Sequence, residues 1–289
     1  MIKKIGVIGT GEMGRGLSLV FSKVGLNVTT VGLSQQDLDS FLKRLSDGLD
    51  RRIAKYELTK SEKKVLLANI KTTSTIEDIA EVDLVMEAIT EDLHQKLSLF
   101  KKLNELTRPE VVLASCTSSL SISELAEATT KPDKVIGLHF LYPPTQRMVV
   151  EVIRGLETSD ETFAEAQMLV KSVGKEAVEV YESPGFISTR VILPFINEAI
   201  YALMEGVASA TDIDKAIRIG YDFSMGPLEL ADTIGLDEVM SWLEVLFRDL
   251  GDLKYRPCPL LRKMVRAKRL GKKTNKGFFE YDEQMNRID

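Results

Sequence analysis

The chain has 289 residues, 38 Lys and Arg against 43 Asp and Glu, a formal net charge of −5, and two cysteines. That length is long for one hydrophobic core and suits two domains. Charges of both signs are interspersed, so there is no basic face for nucleic acid and no polybasic membrane anchor; a small neutral or locally anionic ligand is expected. Cys116 and Cys258 lie far apart without metal-ligand spacing, so no disulfide framework, zinc site or other metal site is expected, and a reducing cytoplasm fits. Met1 to Thr10 carries no signal-peptide pattern, and no stretch reaches the roughly 18 apolar residues of a membrane span, so a cytoplasmic protein is expected.

In chain order, the apolar run Ile5-Gly-Val-Ile8 and the run Asn27 to Val31 stand one helix length apart, which predicts strand, helix, strand. Gln35 to Asn69 is a charged helical stretch restarted by the capping box Thr59-Lys-Ser-Glu62, and predicts a helical pair beside the sheet. Further strands are expected at Leu84 to Ala88, Val111 to Ala114, Val135 to His139, Met148 to Ile153 and Ala177 to Val180. They alternate with amphipathic segments, which predicts an α/β fold with a doubly wound, mostly parallel sheet. After Ser183-Pro184-Gly185 the apolar spacing is helical through Phe186 to Met204, Ile213 to Ile219, Leu228 to Phe247 and Leu260 to Val265. Two domains follow: a dinucleotide-binding domain over 1–184 and an all-helical domain over 185–289.

Gly9-Thr-Gly11-Glu-Met-Gly14 directly follows the first strand and opens a helix, the context that makes a G-x-G-x-x-G run a dinucleotide site. Gly9 permits the turn, Gly11 admits the pyrophosphate, Gly14 lets helix and strand pack, and the helix N-terminus supplies N–H donors. The second strand should end in an acid for the ribose hydroxyls, yet Gly32 stands there. NAD(H) is the expected cofactor. NADP(H) is left open by Gly32 and the hydroxyl of Ser34, although no Arg adjoins them to hold a 2′-phosphate.

Of two histidines, His94 follows Glu91 on a charged helix and is expected in solvent. His139 ends an apolar strand at the sheet's carboxyl edge, and histidine, whose unperturbed ring changes charge near neutral pH, is the residue type suited to exchange a hydroxyl proton there. A hydrogen bond within a turn is the alternative role. Glu151 lies inside the apolar strand Met148-Val-Val-Glu-Val-Ile153, where a carboxylate needs a partner, and His139 is the natural one. An outward-facing Glu151 is the other possibility. Ala114-Ser-Cys-Thr-Ser-Ser-Leu120 again follows a strand; Ser121-Ile-Ser-Glu124 reads as a capping box, leaving Ser118 for a substrate oxygen.

Taken together these segments resemble the 3-hydroxyacyl-CoA dehydrogenase family, especially its compact bacterial 3-hydroxybutyryl-CoA members. The resemblance runs nearly the full length. It includes Gly9-Thr-Gly-Glu-Met-Gly14, Thr117-Ser-Ser-Leu120, Pro132-Asp-Lys-Val-Ile-Gly-Leu-His-Phe140, Val150-Glu-Val-Ile-Arg154, Ser183-Pro-Gly-Phe186, Met225-Gly-Pro-Leu-Glu-Leu230, Tyr255-Arg-Pro257 and Lys276-Gly-Phe278. It implies a Rossmann-like domain, a helical domain that pairs two subunits, and an acyl thioester bound in a cleft between the domains. It also implies His139 as proton acceptor or donor, Glu151 as its partner, and Ser118 as donor to the reacting oxygen. Met13 falls within the cofactor loop, Glu91 and Lys96 match positions near the cofactor, and Lys55 matches a residue contacting CoA phosphates.

The chain departs from the family where Cys116, Tyr142 and Thr189 replace asparagines around the reacting centre, and at Gly32. Thr189 keeps one hydrogen-bonding group, and Tyr142 adds bulk and a phenol beside the substrate. Cys116 has the alternative of being a small buried residue. Three functions fit: a short-chain 3-hydroxyacyl-CoA dehydrogenase, a dehydrogenase for another hydroxyacyl substrate such as an acyl-carrier-protein thioester, or a catalytically silent dimeric binding protein. Joint presence of Ser118, His139 and Glu151 speaks against the third.

Overall fold

The structure is a computed structural model describing residues 2–288. They form two compact units that divide between Ser183 and Pro184. The first contains, in order, β1 (Lys4–Ile8), α1 (Glu12–Lys23), β2 (Asn27–Val31), α2 (Gln35–Ala54), α3 (Lys60–Ala68), β3 (Ile70–Thr73), β4 (Leu84–Glu87), α4 (Leu93–Leu106), β5 (Val112–Ser115), α5 (Ile122–Glu127), β6 (Val135–Phe140), β7 (Val149–Arg154), α6 (Asp160–Ser172) and β8 (Glu176–Tyr181). Among the described residues these strands make one eight-stranded sheet, in the order β3-β2-β1-β4-β5-β6-β7-β8. Every pair is parallel except β6 with β7. The chain's direction of progress across the sheet reverses between β1 and β4, and open α/β sheets bind ligands beyond the strand ends at such a point.

Strand alternation decides which side chains reach which face. Ile5 and Val7 of β1, with Leu138 and Phe140 of β6, pack with Leu17 and Phe21 of α1. Phe21 meets Phe140 edge to face at 6.0 Å. Each such side chain, fully buried, contributes about 1.5–3 kcal/mol. Gly137 and His139 therefore face the opposite side, where a β-carbon on Gly137 would stand 2.9 Å from Ile122 of α5.

Local chemistry sets the helix starts. Ser34 accepts from the Asp37 N–H at 3.2 Å and opens α2. At α3 both halves of the expected capping box form: Glu62 N–H to Thr59 Oγ1 at 3.1 Å, and Thr59 N–H to Glu62 Oε2 at 2.7 Å. At α5 only the Ser121 half forms, accepting from Glu124 N–H at 3.0 Å.

The first unit also holds a strand that the sequence pattern did not announce. β3 has one buried residue, Ile70, among Lys71, Thr72 and Thr73. It exists through its parallel ladder with β2, so its stability lies in backbone pairing, which apolar periodicity does not record.

The second unit comprises α7 (Ser188–Met204), α8 (Ala210–Gly220), α9 (Pro227–Ile234), α10 (Leu236–Leu250) and α11 (Pro259–Arg266), followed by β9 (Glu280–Tyr281) and β10 (Arg287–Ile288). Leu193, Ile196, Leu228, Leu243, Leu246 and Leu261 belong to its core. The apolar run Leu228 to Phe247 is two helices, because Gly235 takes φ 108 and ends α9. The unit is helical as expected, with one short β9-β10 hairpin added to its five α-helices among the described residues. Its Phe279 and Tyr281 join the helical core, and buried Asp232 of α9 accepts from Phe278 N–H, Phe279 N–H and Tyr281 O–H at 2.9–3.0 Å.

Candidate active site

The glycine turn links β1 to α1 at the switch point. Gly9 has φ 123, and a β-carbon there would lie 2.3 Å from the Ala88 carbonyl oxygen after β4. One on Gly14 would lie 1.9 Å from the Gly9 carbonyl oxygen, so both positions require glycine. Gly11 differs: a β-carbon built on it meets no described atom within 4 Å. As N-cap of α1 it provides no side-chain cap, so the first-turn N–H groups, including that of Met13, point toward that open side. An open face over uncapped helix donors fits a dinucleotide pyrophosphate.

The neighbouring strand ends carry a buried charged network on one face. Ile8, Glu87, Ser115 and Gly137 are register partners across β1, β4, β5 and β6. Glu87 is fully buried and accepts from Lys96 Nζ at 2.6 Å, Ser115 Oγ at 2.5 Å and Ile89 N–H at 2.8 Å. Lys96, reaching in from α4 and 1% exposed, also lies 3.4 Å from Glu91. Glu91 in turn accepts from Thr117 Oγ1 at 2.6 Å, Ser118 N–H at 3.0 Å and Ser118 Oγ at 3.2 Å. Burial pushes the Glu91 carboxyl upward, but the Lys96 ammonium and the Thr117, Ser118 and Ser119 donors outweigh it, leaving it below the usual carboxylate range. The network therefore holds the hydroxyl loop after β5 in one conformation. His94, on the same helix as Lys96, is exposed as expected.

His139 lies two residues beyond Gly137, on the same face and about 7 Å nearer the carboxyl edge. Because β6 and β7 are antiparallel, Glu151 is its direct register partner, and opposed residues point to the same face. The His139 Nδ1 to Glu151 Oε2 distance is 2.7 Å, with the two side chains 9% and 4% exposed. A carboxylate at Nδ1 selects the tautomer with its proton there, so that Nε2 is the ring nitrogen able to accept a proton. Ser118 and His139 thus flank the edge at adjacent strands, in an arrangement able to bind an oxygen and move its proton.

Residues 4–183 match the family described as 3-hydroxyacyl-CoA dehydrogenase, NAD binding domain, and residues 185–281 match 3-hydroxyacyl-CoA dehydrogenase, C-terminal domain. The chain belongs to the 3-hydroxyacyl-CoA dehydrogenase family. It is 46% identical over 283 residues to a probable 3-hydroxybutyryl-CoA dehydrogenase of Bacillus subtilis, covering 98% of this chain and 99% of that protein. It is 43% identical to a 3-hydroxybutyryl-CoA dehydrogenase of Clostridioides difficile, covering 97% and 100%. The crystal structure of the (S)-3-hydroxybutyryl-CoA dehydrogenase PaaH1 from Ralstonia eutropha superposes with a TM-score of 0.92 at 41% identity, covering 98% of this chain and 100% of that one. FadB2 of Mycobacterium tuberculosis gives 0.95 at 33% identity, covering 97% and 99%.

Against that family background the atypical residues fall in distinct places. Tyr142 turns its hydroxyl to Glu12 in the first turn of α1; burial, then that hydrogen bond and the Glu12 charge, push the phenol up to about 12. It therefore reaches the first helical turn after the glycine loop. Cys116 packs partly buried against the core, and burial pushes its thiol up to about 12, which makes it a small apolar residue rather than a reactive one. Thr189 is buried at the start of α7 in the second unit. Lys55 is exposed and closes α2, about 30 Å of helix from Ser34. The Ser34 hydroxyl is occupied in capping α2.

Two ionisable residues of the edge were missed from sequence. Glu87 ends the apolar run Leu84-Val-Met-Glu87, the same signal that singled out Glu151. Asp37 reads as an ordinary first-turn acid of a helix, but its two carboxylate oxygens accept from Thr10 Oγ1 of the glycine turn, each at 2.7 Å.

Proposed function

We propose that the protein interconverts a 3-hydroxyacyl thioester and the corresponding 3-oxoacyl thioester with NAD(H), acting on a short-chain CoA ester such as 3-hydroxybutyryl-CoA. The observation that carries this reading is the buried 2.7 Å pair of His139 and Glu151, at the sheet edge that also holds the glycine turn. A bound nicotinamide supplies the hydride acceptor or donor. Glu151 accepts from Nδ1–H, orients the ring and stabilises the imidazolium, while His139 Nε2 takes the hydroxyl proton in oxidation and returns it in reduction. Ser118 Oγ turns from Glu91 to hydrogen-bond the reacting oxygen, and the Glu87, Lys96 and Glu91 network keeps that loop in place beside the cofactor.

The names of the relatives favour the hydroxybutyryl ester. Lys55 is proposed to meet the CoA phosphates, and Tyr142 to border the thioester from above α1. A homodimer through the helical unit is also proposed: Val191, Val207, Ile219, Tyr221 and Phe223 are exposed there, an apolar surface that a second copy would cover. Two free cysteines agree with a cytoplasmic setting, and no helix among the described residues is long and apolar enough to cross a membrane.

The test follows nicotinamide absorbance with acetoacetyl-CoA and with an acetoacetyl carrier-protein thioester, each with NADH and NADPH. Turnover of the CoA ester is expected. Turnover of the carrier-bound ester alone would replace the proposed substrate, and silence with both would refute dehydrogenase function. Sedimentation of the purified protein as a monomer would refute the dimer.

A further inference from the structure

The end of β2 carries glycine where an acid is expected, and a carboxylate from elsewhere in the chain stands beside it. A β-carbon on Gly32 would stand 3.0 Å from Asp37 Oδ2, 3.0 Å from Thr10 Cγ2 and 2.6 Å from Leu38 Cδ2. The carboxylate of Asp37 thus lies within 3.0 Å of the point where the side chain of an acid at position 32 would begin. Asp37 is the third residue of α2, and its N–H is capped by Ser34. In a capping box its carboxylate would bond back to Ser34 N–H. Instead it accepts from Leu33 N–H at 3.2 Å and from Thr10 Oγ1. Thr10 stands between Gly9 and Gly11, so Asp37 ties the end of β2 to the phosphate loop.

We propose that Asp37 is the residue of this chain that receives the adenine ribose hydroxyls and excludes a 2′-phosphate, doing from the first turn of α2 what an acid at position 32 would do from the strand. A carboxylate has about four lone-pair positions. Those not used by Thr10 and Leu33 accept from a ribose hydroxyl, and the negative charge opposes a phosphate at the same carbon. Glycine at 32 is the complement of this arrangement: a β-carbon there would press on Leu38 Cδ2 at 2.6 Å and crowd Asp37 Oδ2 and Thr10 Cγ2 at 3.0 Å. The NADP(H) tolerance that Gly32 suggests by itself is thereby removed.

This inference rests on the glycine turn being the dinucleotide site, and the experiment separates the two. Dissociation constants of NADH and NADPH are read from nicotinamide fluorescence, without substrate, for the parent, Asp37→Asn, and the double variant Gly32→Asp/Asp37→Ala. The parent should prefer NADH. In Asp37→Asn the preference should move toward NADPH by roughly 10- to 100-fold, the scale of a hydrogen bond to a charged group. The double variant, with the carboxylate returned to the strand, should recover the NADH preference. A purely structural role for Asp37 would weaken both cofactors alike and leave their ratio unchanged, which would overturn the proposal, as would a parent that prefers NADPH. Failure of the parent to bind either cofactor would overturn the dinucleotide site itself and the proposal with it.

Discussion

Replacing Glu151 by Gln keeps the volume of the side chain and one acceptor for His139 Nδ1–H, but removes the charge that faces the ring across 2.7 Å. The charge centres of an imidazolium and a carboxylate in that contact lie about 4 Å apart, where an effective dielectric of about 20 gives roughly 4 kcal/mol. The amide retains a hydrogen bond of about 1 kcal/mol. About 3 kcal/mol of stabilisation is then lost as the ring becomes charged, a fall in turnover of roughly 10²-fold. The assay is steady-state oxidation of 3-hydroxybutyryl-CoA by NAD+, the direction in which the ring gains its charge, with NADH affinity measured separately by fluorescence. Both kcat and kcat/KM should fall together while NADH affinity holds within about threefold, because the lost interaction grows only as the proton moves. Turnover within about threefold of the parent, or a loss residing wholly in NADH binding, would refute the assignment of Glu151 as the partner of a proton-exchanging His139.

Gly14→Ala should reduce NADH affinity at least about tenfold in a fluorescence titration, since its methyl would stand 1.9 Å from the Gly9 carbonyl oxygen and force the phosphate turn apart. Lys96→Met should destabilise the protein by about 3–5 kcal/mol in urea unfolding, because it leaves Glu87 buried without its cation; adding Glu87→Gln should restore much of the loss. Asp232 gives a pH prediction in the second unit: burial pushes its carboxyl from 3.8 up to about 6, despite its three donors. A pKa raised on folding stabilises the protonated form, so this contribution is fully present below about pH 4 and disappears as pH rises through about 6. Thermal unfolding of Asp232→Asn should therefore depend less on pH between about 4 and 6 than that of the parent, and equal slopes would refute it.

Much of the cofactor side was legible in the sequence because its signals are local. The order Gly9, Gly11, Gly14 between an apolar strand and a helix states its own geometry, and Ser34, Thr59 and Ser121 each contact a residue three positions on. Glu151 stood out by being ionisable within an apolar strand, and Glu87 carries the same signal over a shorter run. β3 was hidden because three of its four residues are not buried and it is made by its neighbour's ladder. The hairpin after α11 was hidden because strands of two residues are too short to show a period.

Composition, periodicity and turn chemistry determined by themselves that a mostly parallel α/β sheet precedes a helical unit, that a dinucleotide turn follows the first strand, and that His139 and Glu151 lie on apolar strands. The tertiary structure alone decided the pairings. The antiparallel register of β6 and β7 sets Glu151 opposite His139, α4 delivers Lys96 between Glu87 and Glu91, and the first turn of α2 folds Asp37 against the turn containing Thr10. The physical reason is range. Caps and turns depend on residues a few positions apart, whereas partners 9, 12 and 27 residues apart meet only once strand register and helix packing have chosen which side chains share a face.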